Sequence, residues 1–165
     1  MGHNRRVTEP TAGYRSGFAS LVGRPNAGKS TLTNALVGAK VAITSSRPQT
    51  TRHAVRGIVT RPDAQLVLVD TPGLHKPRTL LGERLNAVVK ATWAEVDVVV
   101  VCLPADEKPG PGDTFLVNQL AAVRRTPKIA AATKSDLVSP DRMLQHLSSI
   151  AQLSAATGVE WADIV

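Results

Sequence analysis

A doubly wound α/β fold is what this sequence predicts: a mostly parallel sheet with helices on both faces and one antiparallel hairpin at its edge. Three observations carry the prediction. The stretch Gly23-Arg24-Pro25-Asn26-Ala27-Gly28-Lys29-Ser30-Thr31 lies between a short apolar run and a segment with helical spacing. Two later apolar runs, 97–103 and 128–133, read as strands covered on both faces. Between and after them, strand-like and helix-like segments alternate, as they do when crossovers join parallel strands.

Composition sets the bounds. A chain of 165 residues has room for one α/β domain with a real core and little room for a second. Aromatic content is 3%, so the core must be built from Val, Leu, Ile and Ala. The lone cysteine, Cys102, excludes an intramolecular disulfide, and within its apolar run it reads as a buried structural thiol rather than a nucleophile. No apolar run reaches the roughly 18 residues that span a bilayer, and the start has no signal-peptide core, so a cytoplasmic location is expected. A net charge of +7 suits a polyanionic neighbour such as RNA, although a nucleotide or plain solvated surface also accounts for part of it.

Residues 1–15 are polar and basic, with no apolar period, and are expected to form a flexible extension before a domain over 16–165. Ser16 to Val22 reads as a buried strand and Thr31 to Val37 as a helix. The stretch between them fits G-x-x-x-x-G-K-[ST], in which backbone N–H groups turn inward around a chain of phosphates. Gly23 and Gly28 let backbone approach phosphate, Lys29 supplies a point charge, and the Ser30 hydroxyl can ligate Mg²⁺. A helix beginning at Gly28 turns its positive end to the same anion.

The polar stretch 38–51 has the composition of a loop. His53 to Thr60, a turn at Arg61-Pro62-Asp63 and the run Gln65 to Asp70 predict the antiparallel hairpin. Asp70-Thr71-Pro72-Gly73 then places a carboxylate at the end of a buried strand, where doubly wound sheets keep their ligand chemistry. A turn cap is the ordinary alternative for Asp70; the upstream loop favours Mg²⁺ through water, with the Gly73 N–H on a terminal phosphate. Leu81, Leu85, Val88, Val89 and Trp93 predict a helix over 79–93, followed by the strand 97–103, a Pro/Gly loop over 104–112 and a helix over 113–123. The strand 128–133 runs into Thr133-Lys134-Ser135-Asp136. The Asp136 carboxylate can accept two N–H bonds from one edge of guanine, which adenine does not offer; a helix N-cap is the alternative.

In these residues the chain resembles the Era-like branch of the translation-factor-related P-loop GTPases. Gly23 to Ser30 match the first box of that family, Gln49-Thr50-Thr51-Arg52-His53 its switch-one box, Asp70 to Gly73 its third, and Thr133 to Asp136 its guanine-specificity box. The resemblance implies a P-loop GTPase domain with GTP or GDP as ligand and Mg²⁺ as cofactor. Lys29 and the loop amides would bind the β- and γ-phosphates, and Ser30 and Thr51 would ligate the metal with Asp70 behind a water. Lys134 would cover the base and Asp136 would read it. Lys29, Thr51 and Gly73 are the candidate catalytic positions, and residues 44–53 and 71–80 are the expected switches. Leu74 stands where Ras-like enzymes carry a water-orienting glutamine, which implies slow unaided hydrolysis, on the order of 10⁻⁴ to 10⁻² s⁻¹.

Three departures qualify the resemblance. Thr133 replaces the usual Asn, exchanging an amide for a hydroxyl at a cost of about 1 kcal/mol in lost hydrogen bonding to nucleotide. A fifth Ser-Ala box is expected just past Val165, because Ser154-Ala155 continues a helical pattern and Trp161 to Val165 reads as the start of a final strand. No residues remain for the RNA-binding KH domain of the family, so the expectation is a domain lacking it. Small-subunit assembly, binding to ribosomal RNA and peripheral membrane association are thus implied for a full-length member. A sister GTPase of the class, or a fragment that binds nucleotide weakly or not at all, are the alternatives; the oligomeric state is open.

Overall fold

The computed structural model describes residues 13–38, 54–70 and 80–165. In order these form β1 (Arg15–Val22), α1 (Lys29–Val37), β2 (Ala54–Thr60), β3 (Ala64–Asp70), α2 (Leu80–Glu95), β4 (Val98–Pro104), α3 (Pro111–Ala121), β5 (Lys128–Thr133), α4 (Pro140–Thr157) and β6 (Asp163–Ile164). The strands make one sheet in the order β2-β3-β1-β4-β5-β6. Every neighbouring pair is parallel except β2 with β3, the predicted hairpin.

Alternation along the strands divides the apolar side chains between two faces. On one face Val22, Val99, Val101 and Leu103 pack with Val89 and Trp93 of α2, Leu116 and Leu120 of α3, and Ile150 and Leu153 of α4. With few aromatic residues in the chain, this core is aliphatic around a single buried tryptophan, Trp93, at 1% exposure. Polar groups that enter it find backbone partners: Thr126 Oγ1 donates to the Trp93 carbonyl at 2.9 Å, and the His146 Nε2 lies 3.2 Å from the Leu103 carbonyl oxygen. On the other face α1 lies across β1 and β2. Its last residue, Val37, meets β2 at Gly57, where a Cβ would come within 2.7 Å of Val37 Cγ2.

The start of α3 moves for a local reason, and α4 follows its predicted spacing. α3 starts at Pro111, ahead of the periodicity, because proline suits the first helical turn and the Asp113 carboxylate accepts the Gly110 N–H at 2.8 Å. α4 runs unbroken through Ser154 and Ala155 to a left-handed cap at Gly158, φ 69°. Ser154 Oγ donates to the Val159 carbonyl at 2.5 Å, so this serine closes the end of α4. The residues Trp161 to Val165 lead into β6, which adds parallel to β5 as expected.

Candidate functional site

The parallel order sets the carboxyl ends of β1, β4 and β5 side by side, and the loops that leave β1 and β5 face each other across a cleft of about 710 Å³. That volume lies in the range of small-molecule sites, roughly 300 to 1,000 Å³. One wall is Asn26 to Thr31 at the start of α1; the other is Thr133 to Asp136. Two segments chosen from the sequence on separate grounds thus line one cavity.

The first wall has the geometry that its glycines predict. Gly23 has φ 154° and Gly28 φ 85°, and Asn26 also takes a left-handed conformation, φ 61°, one that asparagine tolerates better than most residues. A Cβ at Gly23 would lie 2.8 Å from the Cys102 carbonyl oxygen, and one at Gly28 would lie 3.1 Å from Thr133 Cβ. Gly28 is the residue before α1, whose first helical residues are Lys29 and Ser30, and all three line the cleft at the start of the helix. Lys29 curls back over the loop: its Nζ donates to the carbonyls of Gly23 at 2.8 Å and Arg24 at 2.6 Å. Those bonds hold the ammonium at the cleft.

The second wall is fastened to the first. Thr133 Oγ1 donates to the Ala27 carbonyl at 2.7 Å. Lys134 follows in a left-handed conformation, φ 58°, and its Nζ pairs with Asp106 Oδ2 at 3.0 Å. Ser135 to Leu137 form one turn of 3-10 helix that presents Asp136, exposed, to the cavity. Val165 closes the rim beyond β6, with its carbonyl accepting the Ala132 N–H at 2.7 Å. Ser154 and Ala155, at the far end of α4, do not line the cavity.

Of the other candidates, Gly23, Arg24 and Pro25 form the back of the loop and do not line the cleft. Arg24 points away from it, onto Asp113 Oδ2 at 2.8 Å and Glu107 Oε2 at 3.0 Å. These partners raise its already high pKa, Glu107 first and Asp113 second. Cys102 lies beneath the loop, fully buried, and burial pushes its thiol up to about 11 while the Lys29 charge pulls weakly the other way. Asp70 ends β3 in register with Ala54, but its side chain lies outside the described residues, as do Thr51, Thr71, Pro72, Gly73 and Leu74. Sequence reasoning overlooked Asp106, Glu107 and Asp113; the Pro/Gly-rich segment that carries the first two signals a loop and nothing about its charges, and Asp113 reads only as the start of a helix.

The chain is similar to known proteins in sequence and in fold. The model of the 50S ribosome-binding GTPase family matches residues 18–134. GTPase Era of Nocardioides sp. is 70% identical over 156 residues, which cover 94% of this chain and 50% of that protein. An Era structure in complex with MgGDPNP and nucleotides 1506–1542 of 16S ribosomal RNA is 32% identical, with a TM-score of 0.70 over 92% of this chain and 50% of the other. A substituted Era of Aquifex aeolicus bound to GDP and aluminium fluoride is 30% identical, with a TM-score of 0.69 over 91% of this chain and 50% of the other. The chain spans about half the length of the curated relatives it matches.

Proposed function

The chain belongs to the 50S ribosome-binding GTPase family, and on that premise we propose that it is the nucleotide domain of an Era-type enzyme, binding GTP with Mg²⁺ and hydrolysing it slowly. The observation that carries the proposal is the shared cleft: a phosphate-binding loop with its lysine in place, facing a carboxylate on the loop after β5. The relatives bound to MgGDPNP and to GDP with aluminium fluoride support the same ligand class.

In this reading the N–H groups from Asn26 to Ser30 and the Lys29 ammonium surround the β- and γ-phosphates. Donors held by the loop in this way would oppose binding little and would stabilise the charge that develops on the γ-phosphoryl oxygens. Ser30, at the cleft, would hold Mg²⁺ with Thr51, and Asp70 would stand behind a water; bound there, the ion neutralises phosphate charge. The donor set fits an ion that takes few protein oxygens and shares the phosphates. Among the described residues no group of three or more His, Cys, Asp or Glu forms a closed metal cage. Asp136 would accept the two N–H bonds of guanine, and Lys134 would flank the base. Thr51 and Gly73 would follow the γ-phosphate and let go when it leaves, giving a switch.

For the full-length protein we infer a part in small-subunit assembly, supported by the relative solved with 16S ribosomal RNA. A cytoplasmic location accompanies that role; among the described residues no helix is long and apolar enough to cross a membrane. Titration with labelled GTP, GDP and ATP, with and without Mg²⁺, followed by phosphate release, tests the domain itself. GTP-selective, Mg²⁺-assisted binding with slow release of phosphate is expected. Equal affinity for ATP, or no binding at high micromolar nucleotide, overturns the reading.

A further inference from the structure

Arg24 is a charged residue of the phosphate loop whose side chain turns away from the cleft, onto two carboxylates, Glu107 in the segment between β4 and α3 and Asp113 in the first turn of α3. Asp113 Oδ2 lies 2.8 Å from its Nε, and Glu107 Oε2 3.0 Å from its terminal nitrogen. Asp113 is 0% exposed, and the same oxygen accepts the Gly110 N–H at 2.8 Å, so α3 fixes this carboxylate in place. Gly112 provides the room: a Cβ there would come within 2.9 Å of Arg24 Cδ. The backbone of the same residue meets the lysine of the cleft. Its carbonyl accepts the Lys29 ammonium at 2.6 Å and the Ala27 N–H at 3.2 Å. One residue therefore connects an immobile buried carboxylate to the ammonium of the cleft.

We propose that Arg24 is a positioning residue: anchored by Asp113 and Glu107, it sets the carbonyl that orients Lys29 before nucleotide enters. The inference rests on the nucleotide reading above and adds to it a source of preorganisation outside the loop. Preorganised donors improve affinity because less freedom is lost at binding. A guanidinium that only attracted phosphate would behave in the opposite way toward its partners. Removing a nearby negative charge would then strengthen nucleotide binding, whereas removing an anchor weakens it.

The test is GDP affinity across three variants, with amide exchange as the second measurement. Glu107→Gln deletes a negative charge at an exposed position and is expected to weaken GDP about twofold to fivefold. Arg24→Met with Asp113→Asn removes the tether without leaving a buried carboxylate unpaired, so the chain still folds, and should weaken GDP about tenfold. Arg24→Lys keeps one contact with Asp113 and should recover most of that loss. Faster exchange confined to residues 24–29, with β4 and β5 unchanged, accompanies a positioning role. Variants that bind GDP as tightly as the parent, or more tightly, overturn the proposal, as does weakened binding with faster exchange throughout β4 and β5. A parent that binds no GDP overturns the nucleotide reading and this inference together; a binding parent with unaffected variants overturns this inference alone.

Discussion

Thr133 holds Ala27 by a hydrogen bond of 2.7 Å, hydroxyl to carbonyl, between residues separated by 106 positions in the chain. The bond joins the end of β5 to the middle of the phosphate loop, and Ala27 is itself fully buried at 0% exposure. Water therefore cannot replace a missing donor. Thr133→Val should cost about 1 to 3 kcal/mol of stability, the range for a buried acceptor left unpaired, and lower GTP affinity several-fold. Thr133→Ser should restore both. Urea unfolding and nucleotide titration of the pair check the prediction, and a valine variant indistinguishable from the parent would sink it.

Gly28→Ala meets two obstacles, a backbone at φ 85° and a Cβ only 3.1 Å from that of Thr133. Gly23→Ala meets φ 154° and a carbonyl oxygen at 2.8 Å, which cannot move aside as a side chain would. Each substitution should destabilise the fold by about 1 to 3 kcal/mol, as strained backbone positions do. Each should also abolish measurable GTP binding. Gly38→Ala serves as the control for a left-handed glycine whose Cβ would meet nothing within 4 Å among the described residues, and is expected to lose stability but keep its ligand.

Asp136 lines the cleft on an exposed turn, so its replacement has little to do with folding. Asp136→Asn should leave the melting temperature within about 1 °C of the parent, as surface changes do at roughly ±0.5 kcal/mol. GTP affinity should fall by a factor of about 10² or more, because one acceptor of a paired contact becomes a donor facing an N–H. A loss below tenfold would show that the base is not read there.

Cys102 makes the fold sensitive to alkali. Its thiol ordinarily titrates at 9.0 and burial pushes it up to about 11. Between those values the folded chain keeps a proton that the unfolded chain has released, so the stabilisation is complete below pH 9 and is lost as pH rises through 11. The shift corresponds to about 2 to 3 kcal/mol. Urea midpoints at pH 8, 10 and 11 should decline, and Cys102→Ala should flatten the decline. The native thiol should also resist iodoacetamide at pH 8 and react once urea unfolds the chain.

The elements that the sequence announced are those with local signatures. Gly23, Gly28 and Lys29 fix their own surroundings, the short turn at Arg61-Pro62-Asp63 forces β2 and β3 to pair antiparallel, and the valines from Val98 to Val101 fit only a covered strand. Helical spacing likewise carried α4 past Ser154 and Ala155. What stayed hidden depends on partners brought together by packing. Thr133 was expected to lose a bond to nucleotide, and nothing near it in sequence points to Ala27 as the acceptor of its hydroxyl. Lys134 was expected over a base; its ion pair with Asp106 depends on β4 and β5 being neighbours. Arg24 finds Glu107 83 positions away, and no spacing rule spans such a distance.

The contact between Val37 and Gly57 gives α1 a mechanical character. The helix is loaded at one end by whatever sits on Lys29 and Ser30, and at the other it bears on β2 with no room for even a methyl group between them. β2 is hydrogen-bonded to β3, whose last residue is Asp70. A side chain at position 57 would therefore have to push α1 off the sheet, so the seat of the helix that starts at Lys29 depends on a glycine in the strand pair that ends at Asp70.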